Sequence, residues 1–272
     1  MNAPNTDLAG ILSKLRRLDR ARYPELATLS EHDIYAGKMG PGGLYLAARM
    51  ARELRPAARS RVLDLGCGKG ATSAFLARTS GAAVFAVDLW ISASELSERF
   101  ARDGLTDAVI PLNLDVTKDL PFAESYFDAV FCMDSIHYYG ADPGFMERLL
   151  RHLKPGGRFC IGSPCFNREF TERERAHLPA VYDDGTDLWP VEFSRYHSPA
   201  WWAALLERTE LVRVVACEEL PDGVVMWEDE LRFNIESGAY AAGQAATDFA
   251  QYAYGYANEP YLTHFVLTAE KR

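Results

Sequence analysis

The sequence contains no run of about 18 consecutive apolar residues, the length a helix needs to cross the core of a bilayer. Its five cysteines include no Cys-x-x-Cys pair, and no Cys/His spacing suits zinc, so neither a metal site nor a disulfide framework is expected. Basic residues are in deficit: 29 lysines and arginines face 38 acidic residues, for a net charge of -9. That balance is the opposite of a nucleic-acid footprint and disfavours an anionic membrane surface as partner. Repeats, low-complexity segments and the charged-then-apolar start of a signal peptide are also missing. Cytoplasmic localisation, no metal, no nucleic acid and no membrane are the resulting expectations. The one local cluster of basic residues, Arg16, Arg17 and Arg22, reads as the solvated face of a helix.

What is present is ordinary for a globular protein: 272 residues, 48% hydrophobic and 25% charged. Leu8, Ile11, Leu12, Leu15 and Leu18 recur at helical spacing and predict an N-terminal amphipathic helix. A glycine-rich break at residues 37–43 leads into a second helix over 44–54. Strands are predicted at 61–65, 83–87, 108–112, 127–133, 158–162, 211–217 and 261–269. Helices alternate with them: Ser92 and Glu95 form a capping box, and Asp142 and Ser198 each precede a proline suited to a first helical turn. Such β-α alternation implies a mostly parallel sheet with helices on both faces.

The densest chemical signal is Asp64-Leu65-Gly66-Cys67-Gly68-Lys69-Gly70, between the first strand and its helix. Glycines there let the backbone approach a ligand, and the helix start offers free N–H groups and the positive end of a dipole. Acidic residues close three successive strands: Asp64, Asp88 and Asp115. Asp88 lies 18 residues beyond Gly70, the distance at which a second strand brings a carboxylate to a ribose diol. The spacing is D-x-G-x-G-x-G rather than the G-x-G-x-x-G of a dinucleotide fold.

Five segments in order resemble the class I S-adenosylmethionine-dependent methyltransferases. They are residues 62–70, the strand 84–89, Asp115 with Leu120-Pro121-Phe122, the strand from Phe127 to Asp134-Ser135, and Leu153-Lys154-Pro155-Gly156-Gly157. The resemblance covers residues 61–162. It implies an α/β fold with a doubly wound, mostly parallel seven-stranded sheet (Rossmann-like) and helical lid insertions, and S-adenosyl-L-methionine as cofactor. By the same resemblance Gly66, Cys67 and Gly68 would face the methionine and ribose portions, Asp64 would position the loop or the cofactor's ammonium, and Asp88 would accept from the ribose. Leu89 and Val116 would sandwich the adenine, with Asp115 accepting from its amine. Gly43 and Asp134 complete the implied cofactor set, with Tyr35 as an aromatic face for a sulfonium.

The acceptor side rests on residues after the fourth strand, where His137 and Tyr139 are the candidate catalytic pair. Two long, aromatic-rich insertions, 164–198 and 221–260, suggest lids over a small organic acceptor. The expected organisation is a cover of N-terminal helices (1–56), a cofactor-binding core (57–163), and the remainder of the sheet with its lids (164–272), as a monomer or homodimer. Methyl transfer is the leading expectation. Intramolecular alkylation or elimination of the cofactor, non-catalytic cofactor binding, and nicotinamide-dependent dehydrogenation remain open at this point.

Overall fold

In a computed structural model, the described residues are 8–35, 37, 39–40, 42–175, 193–239 and 261–272. The helices are α1 (Leu8–Leu12), α2 (Glu31–Tyr35), α3 (Gly43–Leu54), α4 (Ala71–Ser80), α5 (Ala93–Arg102), α6 (Pro143–Arg151), α7 (Glu172–Arg175), α8 (Pro199–Glu207) and α9 (Gly223–Glu236). The strands are β1 (Arg61–Leu65), β2 (Ala83–Asp88), β3 (Val109–Asn113), β4 (Phe127–Met133), β5 (Leu153–Phe166), β6 (Val212–Glu219) and β7 (Leu262–Lys271).

One seven-stranded sheet runs in the order β3-β2-β1-β4-β5-β7-β6. The pairs from β3 through β5 are parallel, and β7 is antiparallel to both β5 and β6. Side chains alternate across the strands, so each strand feeds two cores. Val62, Ala129, Phe131 and Met133 pack with α3, α4 and α5, whereas Leu63, Leu65, Val130 and Cys132 pack with α6 and α8. The sheet is therefore covered on both faces, as the alternation of elements predicts. Predicted caps form as well: Ser92 Oγ accepts from the Glu95 N–H at 3.2 Å, and Asp142 Oδ1 from the Gly144 N–H at 2.9 Å.

Two expectations fail at the N-terminus. The predicted long helix stops at Leu12, where Ser13 Oγ turns back onto the Gly10 carbonyl at 2.8 Å. Beyond it, the main-chain N–H of Arg16 donates to Glu228 on α9 instead of continuing the helix. Arg16 and Arg17 lie outside the helices, Arg22 ends a 3-10 turn, and all three side chains are more than half exposed yet paired with acids. Arg16 pairs with the buried Glu228 at 2.6 Å, Arg17 with Glu236 at 3.2 Å and Arg22 with Asp222 at 2.9 Å. Tertiary partners outcompete the local periodicity here.

Strand β5 is longer than predicted, because antiparallel pairing with β7 carries it to Phe166. Residues 164–166, assigned to the first insertion from sequence, are therefore sheet. Of the two insertions, 176–192 and 240–260 lie outside the described residues, and with them Tyr182, Trp189, Tyr240, Tyr252, Tyr254 and Tyr256. The described part of the second insertion is mostly α9, which packs on the N-terminal segment.

Candidate functional site

The chain leaves β1 at Leu65 and turns through Gly66 and Gly68 before α4 begins. Gly66 has φ +72°, and a Cβ there would lie 2.5 Å from Ser135 Oγ, so only glycine fits. Ser135 Oγ donates to the Leu65 carbonyl at 2.8 Å and lies 2.7 Å from the Tyr139 hydroxyl, which fixes the end of β4 against the loop. Gly68 has φ +54°, and its missing Cβ would meet Met39 at 3.1 Å.

Two carboxylates hold this loop in shape. Asp64 accepts from Thr72 Oγ1 and Ser73 Oγ, both at 2.6 Å, and so ties the end of β1 to the first turn of α4. Burial, reinforced by the nearby charge of Asp88, raises its carboxyl to about 6, even though the two hydroxyls pull the other way. Asp88 accepts from the Gly68 N–H at 2.8 Å with one oxygen, and from the Trp90 and Ile91 N–H groups at 2.8 and 3.0 Å with the other. It clasps the glycine loop to the turn after β2.

These elements frame a cavity of about 210 Å³ at the carboxyl ends of β1, β2 and β4, the usual ligand position in such sheets. Gly66, Cys67, Gly68, Asp88, Leu89, Asp115, Val116, Asp134 and Tyr139 all line it, as candidate residues chosen from sequence. Asp115 is half-buried and forms a local turn through Oδ1, which accepts from the Thr117 N–H at 3.0 Å and hydroxyl at 2.6 Å; these bonds hold its carboxyl below the usual range. Asp134 has φ +51°, and its carboxylate sits so close beneath Gly40 that a Cβ on Gly40 would come within 2.4 Å of it.

Four other candidates stand apart. Asp64 is 1% exposed and lies behind the loop rather than on the cavity. Tyr35 is buried among Phe233 and Tyr45, and its hydroxyl donates to Asp229 at 2.6 Å. Gly43 starts α3 against Ile34 and Tyr35. His137 is also absent from the cavity lining, with its ring 4.1 Å from that of Tyr138 and 5.2 Å from that of Tyr196. Burial, with a contribution from the Arg195 charge, lowers its imidazole to about 3. Burial also pushes the Tyr139 hydroxyl well above its ordinary value.

The cavity includes residues that sequence reading did not select: Met39, Trp90, Leu114 and Met133. Met39, Leu89, Trp90 and Tyr138 are also among the chain's few exposed large apolar side chains, Trp90 at 65%. Clustered apolar exposure at a concave site is a mark of ligand contact. Periodicity carries no trace of it, because Met39, Leu89 and Trp90 sit in loops and Tyr138 in a single 3-10 turn.

Fold and cavity together define the class I methyltransferase architecture. Residues 63–161 match the family described as "Methyltransferase domain". The chain is 31% identical over 124 residues to methyltransferase GfsG of Streptomyces halstedii, covering 45% of this chain and 44% of that protein. It is 24% identical over 248 residues to 27-O-demethylrifamycin SV methyltransferase of Amycolatopsis mediterranei, covering 83% and 82% respectively. Among solved structures, a putative sarcosine dimethylglycine methyltransferase from Galdieria sulphuraria superposes with a TM-score of 0.69 at 16% identity, covering 84% of each chain. The chain spans less than half the length of the first curated relatives it matches. No helix among the described residues is long and apolar enough to cross a membrane.

Proposed function

We propose that this chain transfers a methyl group from S-adenosylmethionine to a small organic acceptor. One observation carries the reading: the glycine loop and the strand-end residues Asp88, Leu89, Asp115 and Val116 line a single cavity. The chemistry of these residues fits the cofactor. Asp88 would take the ribose hydroxyls through charge-assisted bonds, while its contacts to backbone N–H groups keep it oriented. Leu89 and Val116 offer apolar faces for the adenine, and Asp115 an acceptor for its amine. The open backbone of Gly66 and Gly68 leaves room for the methionine portion, with Asp134 nearby.

Bound there, the cofactor supplies a methyl group activated by a sulfonium. The chain's part is to align the acceptor in line with it and to keep water out. Met39, Trp90 and Tyr138 form the apolar part of the lining suited to that task. Neither His137 nor Tyr139 is poised to exchange a proton near neutral pH. Alignment, not a dedicated base, is therefore the main contribution we assign to the protein. Gly37, Met39 and Gly40 on the cavity wall support the N-terminal segment as its cover, over a binding core of residues 57–163. The five free cysteines support a cytoplasmic location.

The test is to incubate the protein with S-adenosylmethionine and a metabolite extract and identify the nucleoside product by mass spectrometry. S-adenosylhomocysteine is expected. Methylthioadenosine would indicate intramolecular alkylation or elimination instead, and binding without turnover a non-catalytic protein. Asp88→Ala is expected to weaken cofactor binding at least tenfold in calorimetry; unchanged affinity would remove Asp88 from the ribose site.

A further inference from the structure

At the cavity, the ring of Tyr138 is flanked by two exposed side chains. Trp90 meets it edge-on with centroids 5.5 Å apart, and the Arg195 guanidinium lies 5.4 Å from its centroid. Arg195 itself has no carboxylate partner among the described residues. Arg49, Arg52, Arg158, Arg168 and Arg232 are each held by an acid, whereas Arg195, like Arg61 over Tyr126, has a ring as its side-chain partner. An aromatic face attracts the guanidinium but leaves its N–H groups unsatisfied, and those are built to match an oxyanion.

The surroundings say what that cation is suited to. The lining of the cavity carries Asp88, Asp115 and Asp134 and no lysine or arginine, in a chain with a net charge of -9. That field repels anions unless a cation stands at the point of entry. Arg195 lies over the ring of Tyr138, a residue of that lining. His137, beneath the same ring, is neutral at physiological pH and adds no second charge. A guanidinium without an acid partner binds an oxyanion more strongly than a neutral oxygen, and it opposes a cationic acceptor.

We propose that Arg195 anchors an acid group, a carboxylate or a phosphate monoester, on the acceptor, whose apolar body lies against Tyr138 and Trp90. A planar guanidinium engages either oxyanion through two parallel N–H bonds. The inference rests on the cavity being the site of methyl transfer, and it narrows the acceptor from any small organic molecule to an organic acid.

Calorimetry on the full chain, saturated with S-adenosylhomocysteine, tests it with three probes of one shape: benzoate, phenyl phosphate and neutral benzyl alcohol. At least one anion is expected to bind ten or more times more tightly than benzyl alcohol, and the two anions distinguish carboxylate from phosphate recognition. Arg195→Gln is expected to erase that preference while leaving S-adenosylhomocysteine and benzyl alcohol within twofold of the parent; Arg195→Lys is expected to restore part of it. The proposal is overturned if the parent shows no preference for an anion, or if Arg195→Gln keeps it. A parallel fall in all affinities on Arg195→Gln also overturns it, since that marks Arg195 as a structural support for the Tyr138 ring. Failure of the parent to bind S-adenosylhomocysteine is seen separately, and overturns the cofactor assignment together with the anchor.

Discussion

Asp64 titrates in the direction opposite to most protein carboxylates. Its carboxyl rises from 3.8 to about 6 because burial disfavours the charge and Asp88 opposes it. The folded state therefore binds this proton more tightly than the unfolded chain. The group's contribution to stability is fully present below pH 3.8 and is lost as pH climbs through 6. By linkage the loss amounts to about 3 kcal/mol. Asp64→Asn is expected to flatten the slope of unfolding free energy against pH between 4 and 6, measured by urea titration. An unchanged slope would show that Asp64 ionises as it does in the unfolded chain. The slope is the diagnostic quantity, because the amide also weakens the bonds from Thr72 and Ser73 and lowers stability at every pH. Holding an unfavourable charge here has a use: Asp64 shapes the loop that lines the cavity without occupying the cavity itself.

Helix α9 links the insertion to the cover. Glu228, Asp229 and Glu230 follow one another, and all three are buried. Glu228 takes Arg16, Asp229 takes Tyr35 and Arg232, and Glu230 accepts from the Gly42 N–H at 2.7 Å. Removing the Tyr35 hydroxyl leaves Asp229 its Arg232 partner at 2.9 Å, so no buried charge is orphaned. Tyr35→Phe strips the buried Asp229 Oδ2 of its hydroxyl partner and is expected to cost about 2 kcal/mol, and to raise amide exchange chiefly over residues 16–35. Exchange that rises equally in β1 and β4 would show that the cover does not open by itself. This helix also marks the limit of what the sequence discloses. The partners of these three acids lie some 190–210 residues away, so no local pattern reports them. Tyr35 was misplaced for the same reason: an aromatic beside a glycine-rich turn looks like a ligand contact until its hydroxyl is found on Asp229. His137 follows two residues of motif and resembles a base, but its burial depends on Tyr196 and Arg195, distant in sequence. By contrast, the strands, the glycine loop and the strand-end acids were legible, because alternation along a strand and the turn geometry at its end are local. Val62 and Leu63 declare their opposite faces by adjacency alone.

At the scale of the whole molecule, the sheet also sorts the thiols. Cys67, Cys132, Cys160 and Cys165 are buried, and only Cys217 is exposed. Burial raises the Cys132 and Cys160 thiols to about 12, which suppresses the reactive thiolate. In a thiol-reagent titration at pH 8, Cys217 is expected to react first in the folded protein, slowed because partial burial and the Glu219 and Glu218 charges raise its thiol, and the other four only after unfolding. Prompt reaction of Cys67 as well would show that the glycine loop opens readily. The order of the strands has a temporal consequence. β7 lies between β5 and β6, and among the described residues β6 pairs with no other strand. A ribosome thus delivers β6 into solution with no neighbour to receive it, and the exposed edge of β5 must wait alongside. Both are satisfied in one event, when residues 262–271 emerge and thread between them. The sheet is consequently completed only once β7 has left the ribosome, with two sticky edges open to chaperones until then.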